Sequence, residues 1–314
     1  MRLLFAGTPE VSVIALQRLL DSEHEVVGVL TRPDARKGRG RTLLPSPVAA
    51  LAEELGIPTL KPASLQADTE DGQEFRRELA KLNPDCIPVV AYGNLVPKDL
   101  LDAPAHGWVN LHFSLLPQWR GAAPVQSAIF AGDDITGATT FRIEEGLDTG
   151  PIFGTTTLKL THTETAEELL TVLAHSGSDL LVATMDGLAD GTVVAEPQQG
   201  EPTYAAKITK EDAQVNWALP ARNIDRQIRA HTPAPGAWTV LGDQRFKLGP
   251  VTLCDDGDLA PGVVRVEKHG VYVGTATNNV QLGLIQPPGK KMMQATDWSR
   301  GAQTTEGMVF EHGA

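Results

Sequence analysis

An amide and an imidazole stand two residues apart in the run Asn110-Leu-His112-Phe-Ser114-Leu-Leu-Pro117, which continues Gln-Trp-Arg120-Gly121. Side chains alternate between faces along a strand, so an extended run places Asn110 and His112 on one face. A carboxamide donor and a titratable ring donor aimed at one point suit an oxygen that gains negative charge during acyl transfer. Downstream, Gly146-Leu-Asp148-Thr-Gly150 holds a carboxylate between two glycines. It follows a predicted strand over 137–143, so its loop is expected to fold back over the sheet. There Asp148 could orient the imidazole and favour its cationic form. Each residue alone has an ordinary structural explanation: a packed histidine, a turn-capping asparagine, an Asx turn between glycines. Their co-occurrence points to chemistry, because a polar pair on a buried strand face costs free energy unless it is satisfied or used.

The elements that must position these residues alternate. Predicted strands cover 2–6, 25–31, 57–61, 85–91, 108–112 and 137–143. Predicted helices cover 9–20, with Thr8 as the cap, then 47–55, 72–82 and 123–131. Alternation of this kind predicts an α/β class, a Rossmann-like, mostly parallel sheet with helices on both faces. A Thr-rich strand over 153–160 and a helix over 165–189 follow. Residues 196–206 are polar with two prolines, which suits a linker. Beyond 209, short strands recur between Gly, Pro and Asp turns, at 237–241, 245–248, 262–266, 270–274 and 280–285, with one helix over 220–230. That spacing predicts a small C-terminal β-barrel of OB-like type. The domain plan is therefore 1–190, a linker over 191–208, and 209–314.

Several functional classes fail on the sequence. The first strand-to-helix turn reads Gly7-Thr8-Pro9-Glu10, without the glycine fingerprint of a dinucleotide site, and the second strand ends without an acid for a ribose. Gly38-Arg39-Gly40-Arg41 lacks the Gly-Lys-Ser/Thr ending of a P-loop. No His, Cys or acid cluster has zinc spacing, so no metal is expected. The two cysteines, Cys86 and Cys254, are read as small core residues of a cytoplasmic protein. No apolar run approaches the roughly 20 residues of a membrane span, and the N-terminal apolar stretch is too short for a signal peptide. No long exposed apolar face is evident, so a monomer is expected.

The formal net charge is −12, yet the charge is uneven. Residues 207–314 net +1 and residues 1–206 net −13. Within the acidic part sits a basic island, Arg32, Arg36, Lys37, Arg39 and Arg41, opposed by Asp34. A polyanion can bind such an island despite the overall charge.

The combination resembles the methionyl-tRNA formyltransferase family over essentially the whole chain. The signature segment is Ser114-Leu-Leu-Pro-Gln-Trp-Arg-Gly-Ala-Ala-Pro124. Supporting blocks are Phe5-Ala-Gly-Thr-Pro-Glu10, Gly38-Arg-Gly-Arg41 with Leu44-Pro-Ser-Pro47, Val89-Val-Ala-Tyr-Gly93 and Gly146-Leu-Asp-Thr-Gly150. Thr203-Tyr-Ala-Ala-Lys-Ile208, Ile228-Arg-Ala230 and Gln286-Pro-Pro-Gly-Lys-Lys291 lie outside the fold shared with other folate-dependent formyltransferases. The resemblance implies transfer of a formyl group from 10-formyltetrahydrofolate to the α-amine of methionyl initiator tRNA, for translation initiation. It implies Asn110, His112 and Asp148 as the catalytic set. It implies folate contacts from Val89, Val90, Ala91, Tyr92, Gly93, Asn94 and Leu95, and from Ser114, Leu115, Leu116 and Pro117. It implies tRNA contacts from Arg36, Lys37, Arg39 and Arg41, and from Lys290 and Lys291. Three positions depart from the family pattern: Phe113 in place of a small residue, Asn94 in place of an aliphatic, and Ala234 in place of an aromatic.

Overall fold

The computed structural model describes residues 1–37, 42–301 and 307–311. Two compact units emerge. One comprises Met1–Gly121, Ile135–Leu158 and Leu170–Tyr204; the other comprises Ala122–Asp134, Lys159–Leu169 and Ala205–Ala314.

The chain begins with β1 (Arg2–Gly7), buried along almost its whole length as a central strand covered on both faces should be. In α1 (Glu10–Leu20) the N-cap is Pro9, without a side-chain cap. Thr8, the predicted cap, instead donates its hydroxyl to the carbonyl of Tyr92 at 2.7 Å and ties the end of β1 to that turn. β2 (Glu25–Leu30) runs parallel to β1. The basic segment carries two paired strands, β3 (Ala35–Lys37) antiparallel to β4 (Thr42–Leu44). α2 (Pro47–Glu54) starts at Ser46, whose hydroxyl accepts the Ala49 N–H at 3.0 Å. After β5 (Thr59–Leu60), α3 (Glu70–Leu82) is capped by Thr69 and closed by Asn83 in the left-handed region. β6 (Ile87–Val90), β7 (Trp108–His112) and the short β8 (Arg120–Gly121) follow. Then come α4 (Pro124–Ala131), β9 (Ile135–Arg142), β10 (Ile152–Lys159), α5 (Ala166–Asp190) and the two-residue β11 (Tyr204–Ala205).

The first unit carries one seven-stranded sheet in the order β10-β9-β7-β6-β1-β2-β5. Strands β1, β2, β5, β6 and β7 are parallel, and β9 is antiparallel to β7. The chain steps outward from β1 to β5 and then returns to the other side of β1 with β6. Open α/β sheets bind ligands beyond the carboxyl ends of the strands at such a reversal. A core of Leu4, Ala6, Leu30, Phe75, Ile87 and Trp108 fixes one face of these strands.

The second unit holds α6 (Ala221–Ala230) and two four-stranded antiparallel sheets. Their strands are β12 (Trp238–Leu241), β13 (Gln244–Leu248), β14 (Val251–Leu253), β15 (Val264–Glu267), β16 (Gly270–Val273), β17 (Val280–Leu282), β18 (Leu284–Gln286) and β19 (Met293–Gln294). A final helix, α7 (Ala295–Gly301), closes the order. The sheets run β12-β13-β18-β19 and β14-β17-β16-β15. The strand predicted over 280–285 is thus two strands that change sheet at Gly283. Backbone bonds from Val264 N–H to Met308 and from Glu311 N–H to Val240 link one sheet to the other. Trp217, Phe246, Trp298 and Phe310 fill the interior. Trp217 stacks on Phe310 at 5.7 Å between centroids and donates its indole N–H to Thr239 Oγ1 at 2.9 Å. Helix α4 belongs to this unit: Arg226 of α6 donates to the Ala131 carbonyl at 3.2 Å, in the space left by Gly132 at φ 77°.

Cys86 is buried, and burial pushes its thiol pKa up to about 12. Cys254, expected in the core, is only half-buried. Among the described residues no helix is long and apolar enough to cross a membrane, and no group of three or more His, Cys, Asp or Glu could hold a metal ion.

Candidate active site

Asn110 and His112 sit on β7, paired in register with Phe141 and Thr139 of β9. The two-residue repeat of the strand puts both side chains on one face, as the sequence predicts. Val89 of β6 lies opposite Asn110 on the parallel side, so the two segments implied in catalysis and folate contact are neighbours in the sheet. Asn110 is half-buried, and among the described residues no protein group hydrogen-bonds its carboxamide. His112 is 6% exposed, with its ring nearly perpendicular to that of Phe141 at 6.4 Å between centroids.

Both nitrogens of His112 face oxygen. Nε2 lies 2.8 Å from the carbonyl of Trp119. A carbonyl only accepts, so Nε2 carries the proton of the neutral ring. Nδ1 lies 3.7 Å from Asp148 Oδ2, too long for a direct hydrogen bond but within ion-pair reach. Burial lowers the His112 pKa below the ordinary 6.5, and the opposing pull of Asp148 and of the Trp119 carbonyl does not cancel it. Asp148 pulls the ring toward its cationic form, but burial outweighs that pull. The ring is neutral at pH 7, because removing imidazolium from water costs more than one carboxylate at 3.7 Å returns.

Asp148 is held by more than its loop. Its Oδ2 accepts the Gly121 N–H at 2.7 Å. Its backbone is left-handed, with φ 50°, as is that of Trp119, with φ 59°. Three of the five non-glycine residues in this region among those described, Ala91, Trp119 and Asp148, fall at the segments singled out from sequence. A side chain on Gly150 would place Cβ 1.7 Å from the Arg142 carbonyl, so glycine is needed there for close approach. Two groups escaped sequence reasoning. One is the Trp119 carbonyl, a backbone atom that no motif marks. The other is Gln198, which donates to the Asp148 and Gly150 carbonyls from the stretch read as a linker.

The signature segment after β7 is pinned from below. Thr139 Oγ1 donates to the Ser114 carbonyl at 2.7 Å and accepts the Leu116 N–H at 3.2 Å. Ser114 spends its hydroxyl on the Gln118 carbonyl at 2.5 Å, and Ser114, Leu116 and Pro117 are buried. These residues shape the turn; Leu115 is half-buried. At the carboxyl end of β6, Val89, Val90 and Tyr92 are buried, while Ala91 and Gly93 are exposed. Arg32 donates to the Gly93 carbonyl at 2.9 Å. Asn94 Nδ2 reaches the Tyr92 hydroxyl at 3.3 Å, and Leu95 is 87% exposed. Phe113 is buried, and Ala234 lies between two cis X-Pro bonds, at Pro233 and Pro235. Arg36 is exposed on β3. Lys37 ends that strand, with its side chain outside what the structure describes, and Arg39 and Arg41 lie outside the described residues. Lys290 and Lys291 are exposed beyond β18.

The family profile described as "Formyl transferase" matches residues 1–185, and that described as "Formyl transferase, C-terminal domain" matches residues 207–303. A relative named methionyl-tRNA formyltransferase from Corynebacterium glutamicum is 62% identical over 315 residues, covering 99% of this chain and 100% of the relative. Methionyl-tRNA formyltransferase from Clostridium thermocellum superposes with a TM-score of 0.56 at 17% identity, over 90% of this chain and 98% of that one. HypX from Aquifex aeolicus in complex with tetrahydrofolic acid superposes with a TM-score of 0.67 at 18% identity, over 98% of this chain. This chain spans about half of that protein, 48%. At such identities the two structures speak to the fold, whereas the closer relative and the two profiles speak to descent. The chain belongs to the formyl transferase family, in the company of its methionyl-tRNA formyltransferases.

Proposed function

We propose that this chain formylates methionyl initiator tRNA by direct acyl transfer from 10-formyltetrahydrofolate, with Asn110, His112 and Asp148 as the catalytic set. The observation that carries the reading is the common face of Asn110 and His112 on β7, with Asp148 within 3.7 Å of the ring. The donor is an activated amide and the acceptor an amine, so no protein nucleophile is required. Holding amine and formyl carbon in attack geometry alone lowers the barrier by up to about 7–11 kcal/mol in the best cases. As the amine attacks, the carbonyl oxygen gains charge, and the Asn110 amide and His112 stabilise it. At rest the Nε2–H of His112 is committed to Trp119; substrate exchanges that bond for one to the formyl oxygen. The amine proton passes through water to the unprotonated Nδ1 of His112 and from there to the departing nitrogen, while Asp148 stabilises the imidazolium that forms in between. Collapse of the tetrahedral adduct breaks the bond to N10 of tetrahydrofolate, which leaves protonated.

The folate lies along Val89–Leu95 and against the Ser114–Pro117 turn in this reading, supported by the reversal of strand order beside β6 and the bare side chain of Leu95. The tRNA is met by Arg36, Lys37, Arg39 and Arg41 and by Lys290 and Lys291. Residues 1–190 serve as the catalytic part, 191–208 as a linker and 209–314 as the tRNA-binding part of a cytoplasmic monomer. Incubation with methionyl-tRNA and formyl donor should add the mass of one formyl group to the aminoacyl-tRNA. His112→Ala and Asn110→Ala should each lose roughly 10²-fold or more in single-turnover rate, the scale of one lost oxyanion donor. Near-normal rates in both variants would defeat the assignment. Neutralising the residues of the basic segment should flatten the salt dependence of tRNA binding, since each phosphate contact releases counterions. An unchanged slope would remove that interface.

A further inference from the structure

Gln198 makes four hydrogen bonds with its side chain. Nε2 donates to the carbonyl of Asp148 at 2.8 Å and to that of Gly150 at 2.9 Å. Oε1 accepts from Arg120 Nη2 at 2.6 Å and Nε at 3.1 Å. Both N–H groups and the oxygen of the carboxamide are thus in use. Arg120 is joined by one peptide bond to Gly121, whose N–H grips the Asp148 carboxylate at 2.7 Å. The bonds close a ring that runs from Asp148 Oδ2 through Gly121, Arg120 and Gln198 back to the Asp148 carbonyl. A residue in the left-handed region is easily lost from it, and Asp148 at φ 50° is such a residue.

We propose that Gln198 is a positioning residue of the formyl transfer, acting through Asp148 by holding its backbone so that the carboxylate stays against His112. This rests on the reading that Asp148 serves His112. Only a carboxamide can do both jobs at this point. A carboxylate would attract Arg120 but repel the two carbonyls, and an apolar side chain would engage neither. The segment carrying Gln198 has its own anchor, because Glu196 and Ile152 exchange two backbone bonds of 2.7 and 2.8 Å. A substitution at 198 therefore removes the clamp and leaves the chain path in place.

The test is a double-mutant cycle on the full chain, with methionyl-tRNA and 10-formyltetrahydrofolate as substrates. Gln198→Met and Gln198→Glu should each lower kcat by roughly 10- to 100-fold, the cost of a catalytic group misplaced by about an ångström. KM for either substrate should stay within about twofold, because the clamp acts on the transition state. Thermal unfolding should remain a single cooperative transition, lowered only modestly by the lost hydrogen bonds. In an Asp148→Asn background, adding Gln198→Met should change kcat by less than about threefold, since a residue acting through Asp148 has nothing left to position. Multiplicative losses overturn the Gln198 assignment and leave the catalytic set standing, as does parental turnover in Gln198→Glu, which would mean that pairing with Arg120 suffices. Parental turnover in Asp148→Asn overturns the catalytic set and the Gln198 assignment together.

Discussion

Replacing Asp148 by Asn isolates the charge that faces His112. The Asn oxygen can still accept the Gly121 N–H now held at 2.7 Å, so the loop keeps its anchor while the formal charge is lost. At the observed 3.7 Å, a full imidazolium and a carboxylate attract by about 4 kcal/mol at an effective dielectric near 20. His112 is neutral in the ground state, since burial lowers its pKa. The attraction therefore grows only as the ring takes on charge during the reaction, which is the condition for raising kcat rather than lowering KM. Half-developed charge corresponds to about 2 kcal/mol and full charge to about 4, or a loss of roughly 30- to 1,000-fold at about 1.4 kcal/mol per decade. Single-turnover formylation of methionyl-tRNA with saturating formyl donor reads the chemical step directly. A loss below about tenfold, or a loss carried by KM with kcat unchanged, would refute the reasoning from charge.

Three further outcomes follow from the same structure. His112 has a lowered pKa, so the unfolded chain takes up its proton first, and the stability this group lends is lost as pH falls below the ordinary 6.5. Urea unfolding of His112→Gln should show a shallower loss of stability than the parent below that pH and no difference above pH 7; parallel profiles would contradict the assignment. Cys86, with its thiol pushed up to about 12, should resist alkylation at pH 8 until the protein unfolds, whereas Cys254 should react slowly in the native state. Mass-mapping of iodoacetamide adducts separates the two, and early labelling of Cys86 would contradict the burial. Trp217→Ala should cost about 3–5 kcal/mol, for it empties a fully buried site and strands the Thr239 hydroxyl. A shift in calorimetric unfolding worth less than about 1 kcal/mol would show that this core collapses around the gap.

Much of the sheet and the heart of the site are legible in sequence because they rest on short-range rules. The spacing of Asn110 and His112 needs only the two-residue period of a strand, and Asp148 is marked by its glycines. What escapes is set at long range or by the backbone. Gln198 stands 50 residues from Asp148, in a stretch whose polarity resembles any linker. The Trp119 carbonyl has no residue type to betray it. The sign of the His112 shift depends on burial, which a strand pattern suggests without measuring. The pair of β3 and β4 has three residues in each strand, too few for alternation to register. Gly283 reads as a residue inside one strand, since only the packed sheets reveal that β17 and β18 belong to different layers.

The membership of α4 bears on modularity. Between the two units the backbone passes back and forth at five points, and α4 packs against α6 although some 90 residues separate them. A cut at 191–208 would not yield two finished pieces: the leading fragment would keep α4 stripped of the helix it packs against. Grafting the trailing half onto another formyl-handling scaffold must therefore transplant α4 as well, so descent by swapping whole cassettes at that joint is a poor account of how such chains diversify.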